Sequence, residues 1–111
     1  RLEYPKYYIG MRDIVANHKR TVNYMTFTSP MDYVIARYYF GEEYTKLRYY
    51  DPKDPTQQYL WWPFMRANEH MAPKKDTLLV VPDAGRLEDP SKYVKRRVHG
   101  DYIIYSANKT D

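Results

Sequence analysis

The chain contains no cysteine, which excludes a disulfide framework, a zinc site built on thiolates and a thiol nucleophile. It has no run close to the roughly 20 apolar residues that a membrane-spanning helix needs, and no signal-peptide pattern opens it. Its four glycines are scattered and cannot build a glycine-rich phosphate loop. We therefore expect a domain without a membrane span, a thiolate metal site or a phosphate loop.

Large aliphatic side chains are also few. Leu, Ile, Val and Phe account for only 21 of the 111 residues, a level at which disorder becomes plausible. The net charge of +4 argues against disorder, and 14 Tyr, 2 Trp and 5 Met supply apolar bulk instead. A Tyr hydroxyl needs a hydrogen-bond partner, so Tyr favours half-wet sites such as interfaces. A domain of this size cannot hide fourteen rings, and we expect some of them to face a partner.

Hydrophobic periodicity predicts an α+β fold, with short helices packed on a small, mostly antiparallel sheet and with extended proline-rich segments. No repeat or composition shift divides the chain, so we predict one small domain spanning 1–111. The predicted helices lie within 1–20, 30–40, 63–72 and 90–99, and the predicted strands are 21–28, 44–50, 77–81 and 102–107.

The stretch from Ser29 to Gly41 has the clearest signals. Ser29 can cap a helix, Pro30 suits its first position, Asp32 can serve as the acid of the first turn, and Gly41 suits the C-cap. The alternative is a strand, because residues 33–40 are also rich in strand formers. The capping signals favour the helix. Its predicted inward face consists of Met31, Val34, Ile35, Tyr38 and Tyr39.

Residues 36–43 read Ala-Arg-Tyr-Tyr-Phe-Gly-Glu-Glu. This segment resembles one in the small thioredoxin-like accessory subunit of respiratory complex I and in its mitoribosomal relatives. The resemblance covers a short part of the chain and contains no catalytic motif. It implies a strand in place of the helix at this position, and a mitochondrial assembly as the setting.

No cluster of titratable residues indicates catalysis. His18, His70 and His99 are far apart in the sequence, and no serine has a base beside it. Asp101 could orient His99, but a histidine at a helix C-terminus is favoured by the helix dipole alone. We therefore predict that the chain is not an enzyme and has no catalytic residues, no cofactor and no metal site.

The densest aromatic patch surrounds Pro63 and has the residue types that anchor protein interfaces. Two adjacent tryptophans cannot share one face, so we expect one of them to point outward. This favours a non-catalytic accessory subunit that binds other protein subunits of a large complex. The alternatives are that the patch forms the domain's own core or touches a membrane surface peripherally. The predicted interface residues are Tyr59, Trp61, Trp62, Phe64 and Met65.

The predicted helix at 90–99 is crowded with basic side chains. With tyrosines nearby, it could contact RNA in a ribonucleoprotein such as an organellar ribosome, which is our alternative function. The simpler interpretation is a solvated helix face, because 14 acidic residues offset 18 basic ones. The candidate RNA-contacting residues are Lys92, Lys95, Arg96, Arg97 and His99.

Overall fold

Two α-helices packed on a five-stranded mixed sheet form the part of the chain that the structure describes, which confirms the α+β prediction. The computed structural model describes residues 4–50, 77–82, 93 and 95–107. The predicted proline-rich segments fall mostly outside these ranges. The elements in chain order are α1 (Tyr4–His18), β1 (Tyr24–Phe27), α2 (Pro30–Phe40), a 3₁₀-helix (Gly41–Lys46), β2 (Leu47–Tyr49), β3 (Thr77–Pro82), β4 (Lys95–His99) and β5 (Tyr102–Ala107).

The strand order in the sheet is β2-β1-β3-β5-β4. β1 lies at the centre of a parallel half, paired with β2 on one side and β3 on the other. The pairs β3–β5 and β5–β4 are antiparallel. The sheet is therefore less antiparallel than the sequence predicted. The cause is α2, which connects β1 to β2 as a crossover helix and so makes these two strands parallel.

α2 begins and ends where the capping signals predict. The backbone N–H of Asp32 donates to Ser29 Oγ, and Pro30 occupies the first turn. The C-cap residue Gly41 has φ 59° and ψ −122°, a backbone conformation that side chains disfavour. The helix prediction is confirmed. The strand alternative is wrong for residues 33–40, and the strand implied by the resemblance is wrong for residues 36–40.

The face that α2 turns to the core differs from the predicted one. Met31 and Tyr38 were expected inside but are 62% and 78% exposed. Ile35 and Tyr39 pack only partly against the core. α2 is apolar on nearly all sides, so its pattern alone does not choose a face. The side chains that it buries are those of Asp32, Tyr33, Ala36 and Phe40.

Residues 95–99 form the strand β4, so the predicted helix at 90–99 is wrong there. β4 and β5 make a hairpin whose two-residue turn is Gly100 and Asp101. Gly100 has φ 60°, the positive value that such a tight turn requires at its first central residue. Gly100, which was predicted to end a helix, therefore lies in a hairpin turn.

The other strand predictions are confirmed. The strand predicted at 21–28 is shorter, Tyr24–Phe27, the one predicted at 77–81 extends by one residue to Pro82, and the one at 102–107 has the predicted bounds. In the segment 44–50, only Leu47–Tyr49 is a strand, because the 3₁₀-helix takes up the residues before it.

Strand side chains alternate between the two faces of the sheet, and each face carries a cluster of buried residues. On the helix side, the core contains Met11, Ile14, Val15, Val22, Met25, Phe27, Tyr33, Ala36, Phe40, Leu47, Tyr49, Leu78, Val80, Tyr102 and Ile104. On the other side, Tyr93 packs against a smaller cluster of Leu79, Val81, Ile103 and Tyr105.

Candidate functional site

The outer face of α2 carries a stripe of apolar side chains. The stripe begins at Met31 and continues at offsets of three, four and seven residues with Val34, Ile35 and Tyr38, which places all four on one side of the helix. Met31 and Tyr38 are exposed, whereas Val34 and Ile35 are half-buried at the margins. We term these four residues the outer stripe. The exposure of Met31 and Tyr38 is the largest difference from the predicted arrangement of this helix, in which both side chains face the core.

Neighbouring contacts hold the end of the outer stripe in place. The rings of Tyr38 and Tyr39 meet edge to face, with centroids 5.0 Å apart. Tyr39 in turn packs partly against the core, and its backbone carbonyl accepts a hydrogen bond of 3.2 Å from Lys19 Nζ. Arg37 lies beside the stripe with its guanidinium 4.4 Å from the centre of the exposed Tyr44 ring. The stripe is therefore a preorganised surface with a polar margin.

A second feature is a pocket of about 130 Å³ where the end of α1 meets β4. Its polar lining comes from His18, Arg97 and Ser106, and its apolar lining from Leu78 and Ile104. Arg97 Nη2 donates to His18 Nε2 at 2.5 Å. Because a guanidinium can only donate, Nε2 is the acceptor, and His18 is neutral with its proton on Nδ1.

Among the described residues, the charged groups that act on His18 in this pocket are positive. Burial lowers the pKa of His18, and the charges of Arg97 and His99 lower it further. Within the described ranges, the ion pairs join Arg12 to Asp13 and Lys46 to Glu43. No described carboxylate pairs with Arg97.

The third feature is a polar pair inside the core. Asp32 lies in the first turn of α2 and is 7% exposed, and its Oδ1 accepts a hydrogen bond of 2.9 Å from the Tyr102 hydroxyl. Burial raises the pKa of Asp32, while the hydrogen bonds from Tyr102 and Ser29 act in the opposite direction. The two side chains are buried and bonded to each other, so the pair stabilises the fold and does not form an open site.

The structure brings together only part of the predicted basic set. Arg97 and His99 lie opposite Ile104 and Tyr102, on the side of the sheet that faces the helices. Lys95 and Arg96 belong to β4, and Lys92 lies outside the described residues. Arg97 and His99 are two residues apart on β4 and therefore share one face, and these two are the members of the predicted set whose side chains the structure describes.

Sequence reasoning missed His18 as the partner of Arg97. The two residues are 79 positions apart, and nothing local in the sequence relates them. It also missed the outer stripe as an exposed surface, although the signal was present in the apolar residues on all sides of α2. The predicted aromatic interface lies outside the described residues; it comprises Tyr59, Trp61, Trp62, Phe64 and Met65.

Neither helix in the described ranges combines the length and the apolar character that crossing a membrane requires. The same ranges contain no group of three metal-ligating His, Asp or Glu residues close enough to share an ion. Comparisons of the chain with protein-family models, with curated proteins and with solved structures found no match. Function is therefore inferred from the geometry of the chain itself.

Proposed function

We propose that the chain is a non-catalytic accessory subunit, which binds a neighbouring protein of a larger assembly through the outer stripe of α2. The observation that supports this is the exposure of Met31 and Tyr38, 62% and 78%, on a helix that is apolar nearly all round. A helix of that composition is normally buried on all sides. Covering one side chain of this size contributes roughly 1.5–3 kcal/mol.

The residue types and their setting fit a protein partner. Tyr and Met are enriched in the centres of protein interfaces, and charged residues are typical of their rims. Arg37, on the same helix, and the exposed Glu42, just after it, are charged residues close to the stripe in sequence. The contact with Tyr39 already restricts the Tyr38 ring, so less side-chain entropy is lost on binding. We expect the partner to present an apolar surface of its own.

Two further expectations come from the sequence alone. The aromatic residues of segment 59–65 would extend the contact surface, and a mitochondrial setting follows only from the short resemblance at 36–43. Binding through the outer stripe needs neither of them.

RNA contact through β4 is a second candidate, because Arg97 and His99 lie beside the neutral His18 without an acidic partner among the described residues. Contact with RNA phosphates would make the affinity fall steeply with salt. We favour the protein partner, because the outer stripe is an exposed apolar surface, whereas Arg97 and His99 are the only predicted basic residues whose side chains the structure describes.

The test uses a photo-crosslinking residue in place of Tyr38, with the same residue in place of Val98 as a matched control. Val98 is 59% exposed but lies on β4, away from the outer stripe. In an extract of the native cells, position 38 should give one discrete crosslinked protein. An excess of unlabelled wild-type chain should abolish this crosslinked product by competition. The same excess of a chain carrying Met31→Glu and Tyr38→Glu should leave the product unchanged.

The double variant should keep its fold, because both side chains are exposed and such changes usually shift stability by no more than about 0.5 kcal/mol. A thermal melt of the variant provides this control. If positions 38 and 98 give the same products, or if both competitors act equally, the outer stripe is not the interface.

A further inference from the structure

We propose that the pocket between α1 and β4 binds a small phosphate-type oxyanion, either inorganic phosphate or the terminal phosphate of a small phosphomonoester. The pocket of about 130 Å³ has the space of roughly four water molecules. It combines the hydrogen-bonding side chains of His18, Arg97 and Ser106 with an apolar wall formed by Leu78 and Ile104. This site is separate from the outer stripe of α2.

Arg97 is the main anion ligand in this arrangement. Its guanidinium has five N–H donors, and the hydrogen bond to His18 uses one of them. The planar fork of a guanidinium matches two oxygens of a phosphate group at once. Arg97 is exposed, and none of the described carboxylates pairs with it.

His18 supplies the second interaction. In the free chain its Nε2 accepts from Arg97, and burial together with the charges of Arg97 and His99 lowers its pKa. An anion that draws the Arg97 donor away leaves Nε2 free to take up a proton. The imidazolium then donates to the anion, whose negative charge offsets the two positive charges. Anion binding is therefore coupled to proton uptake by His18.

The groups that face His18 determine the sign of this coupling. β4 contributes the charged or titratable residues Arg97 and His99, whereas β3 and β5 contribute Leu78, Ile104 and Ser106, which do not titrate. Lys19 follows His18 in the chain, but its Nζ donates to the backbone carbonyl of Tyr39 on α2. No described carboxylate opposes Arg97 and His99, so lower pH should strengthen anion binding.

Ser106 completes the set from β5. It lies opposite Lys95 in the β4–β5 register, is half-buried and lines the pocket. Its hydroxyl can donate one hydrogen bond to an oxygen held by Arg97. A phosphate inside an RNA strand carries a sugar on both sides, whereas a terminal phosphate can enter a small pocket end-on. This is why we assign the site to a small ligand.

The experiment is an NMR titration of the full chain with sulfate, with phosphate and with single-stranded RNA, observed at the His18 imidazole and the Arg97 side chain. Sulfate keeps its charge across neutrality, so any pH dependence of its binding reports on the protein. We expect saturable shifts with both small anions and tighter sulfate binding below neutrality than above it. Arg97→Gln should weaken binding roughly tenfold or more, the scale of one charge-assisted hydrogen bond.

Two variants complete the design. Ser106→Ala should weaken binding less than Arg97→Gln, and Arg48→Gln should leave it unchanged, because Arg48 lies on β2 with its guanidinium 4.2 Å from the Tyr24 ring centre. Thermal melts show whether each variant is folded.

Shifts that do not saturate, or equal losses in the Arg97 and Arg48 variants, would mean that the small anions do not use this pocket. Sulfate affinity that does not change with pH would contradict the role of His18. Saturation by RNA but not by phosphate would replace our assignment with RNA contact.

Discussion

The Tyr102 hydroxyl donates a 2.9 Å hydrogen bond to Asp32 Oδ1, which links the start of β5 to the first turn of α2 across 70 positions of sequence. Both residues are buried. A buried carboxylate without a donor is costly, so this bond favours the helix orientation in which Asp32 points inward. In that orientation the outer stripe points away from the sheet. The exposed surface of α2 therefore depends on a polar contact inside the core.

Tyr102→Phe should destabilise the chain by about 1.5–3 kcal/mol, because it removes a hydrogen bond to a charged group and leaves Asp32 buried. Urea unfolding measures this loss. Tyr38→Phe is the matched control, since it removes a hydroxyl from an exposed ring and should change the free energy of unfolding by less than about 0.5 kcal/mol. Equal effects of the two changes would show that the Tyr102–Asp32 bond does not stabilise the fold.

Asp32→Asn should alter how stability depends on pH. Burial raises the pKa of Asp32 above its ordinary value of 3.8, so the folded chain binds this proton more tightly than the unfolded chain. The contribution of Asp32 to stability is fully present below the ordinary pKa and is lost as pH rises through the raised pKa. The free energy of unfolding of Asp32→Asn, relative to wild type, should therefore increase over that window. Parallel pH curves for the two proteins would contradict a raised pKa.

Two glycine substitutions should have opposite effects. Gly41→Ala should destabilise the chain by about 1–3 kcal/mol, because φ 59° with ψ −122° is strained for any residue with a Cβ. Gly10→Ala lies inside α1 and should stabilise it by about 0.5–1 kcal/mol. A Cβ at either position meets no atom within 4 Å, so neither effect is due to a clash. Thermal or urea unfolding would contradict this account if both changes had the same sign.

The orientation of α2 predicts a contrast between two aromatic residues in its last turn. Phe40→Ala should cost about 3–5 kcal/mol, because its ring is buried in the core. Tyr38→Ala should cost less than about 0.5 kcal/mol, because its ring is mostly exposed. Urea unfolding of both variants compares them. A large loss for Tyr38→Ala would mean that the inward face predicted from the sequence was the correct one.

The helix α2 shows how far the sequence could lead. Ser29, Pro30 and Gly41 act on their nearest neighbours, so local signals predicted where the helix begins and ends. Its inward face depends on Tyr102, which lies far away in the chain. Because α2 has apolar residues on nearly all sides, distant contacts such as this one, and not its own pattern, determine which face turns inward.

For β4, the local sequence signals predicted the wrong secondary structure. Its basic residues and the following glycine resembled the end of a helix, but pairing with β5 decides the conformation. Such pairing is a tertiary effect that local propensity does not capture. The same holds for the pocket, because His18 and Arg97 become neighbours only when α1 packs beside β4.

The most direct test of the proposed function is the chemical reactivity of Tyr38 towards tyrosine nitration, read by mass spectrometry. Tyr33, which is fully buried, is the internal control and should not react in any sample. We predict that Tyr38 reacts rapidly in the isolated, folded chain and is protected when the chain is in its native cell extract. Equal reactivity of Tyr38 in both samples would show that no protein covers the outer stripe.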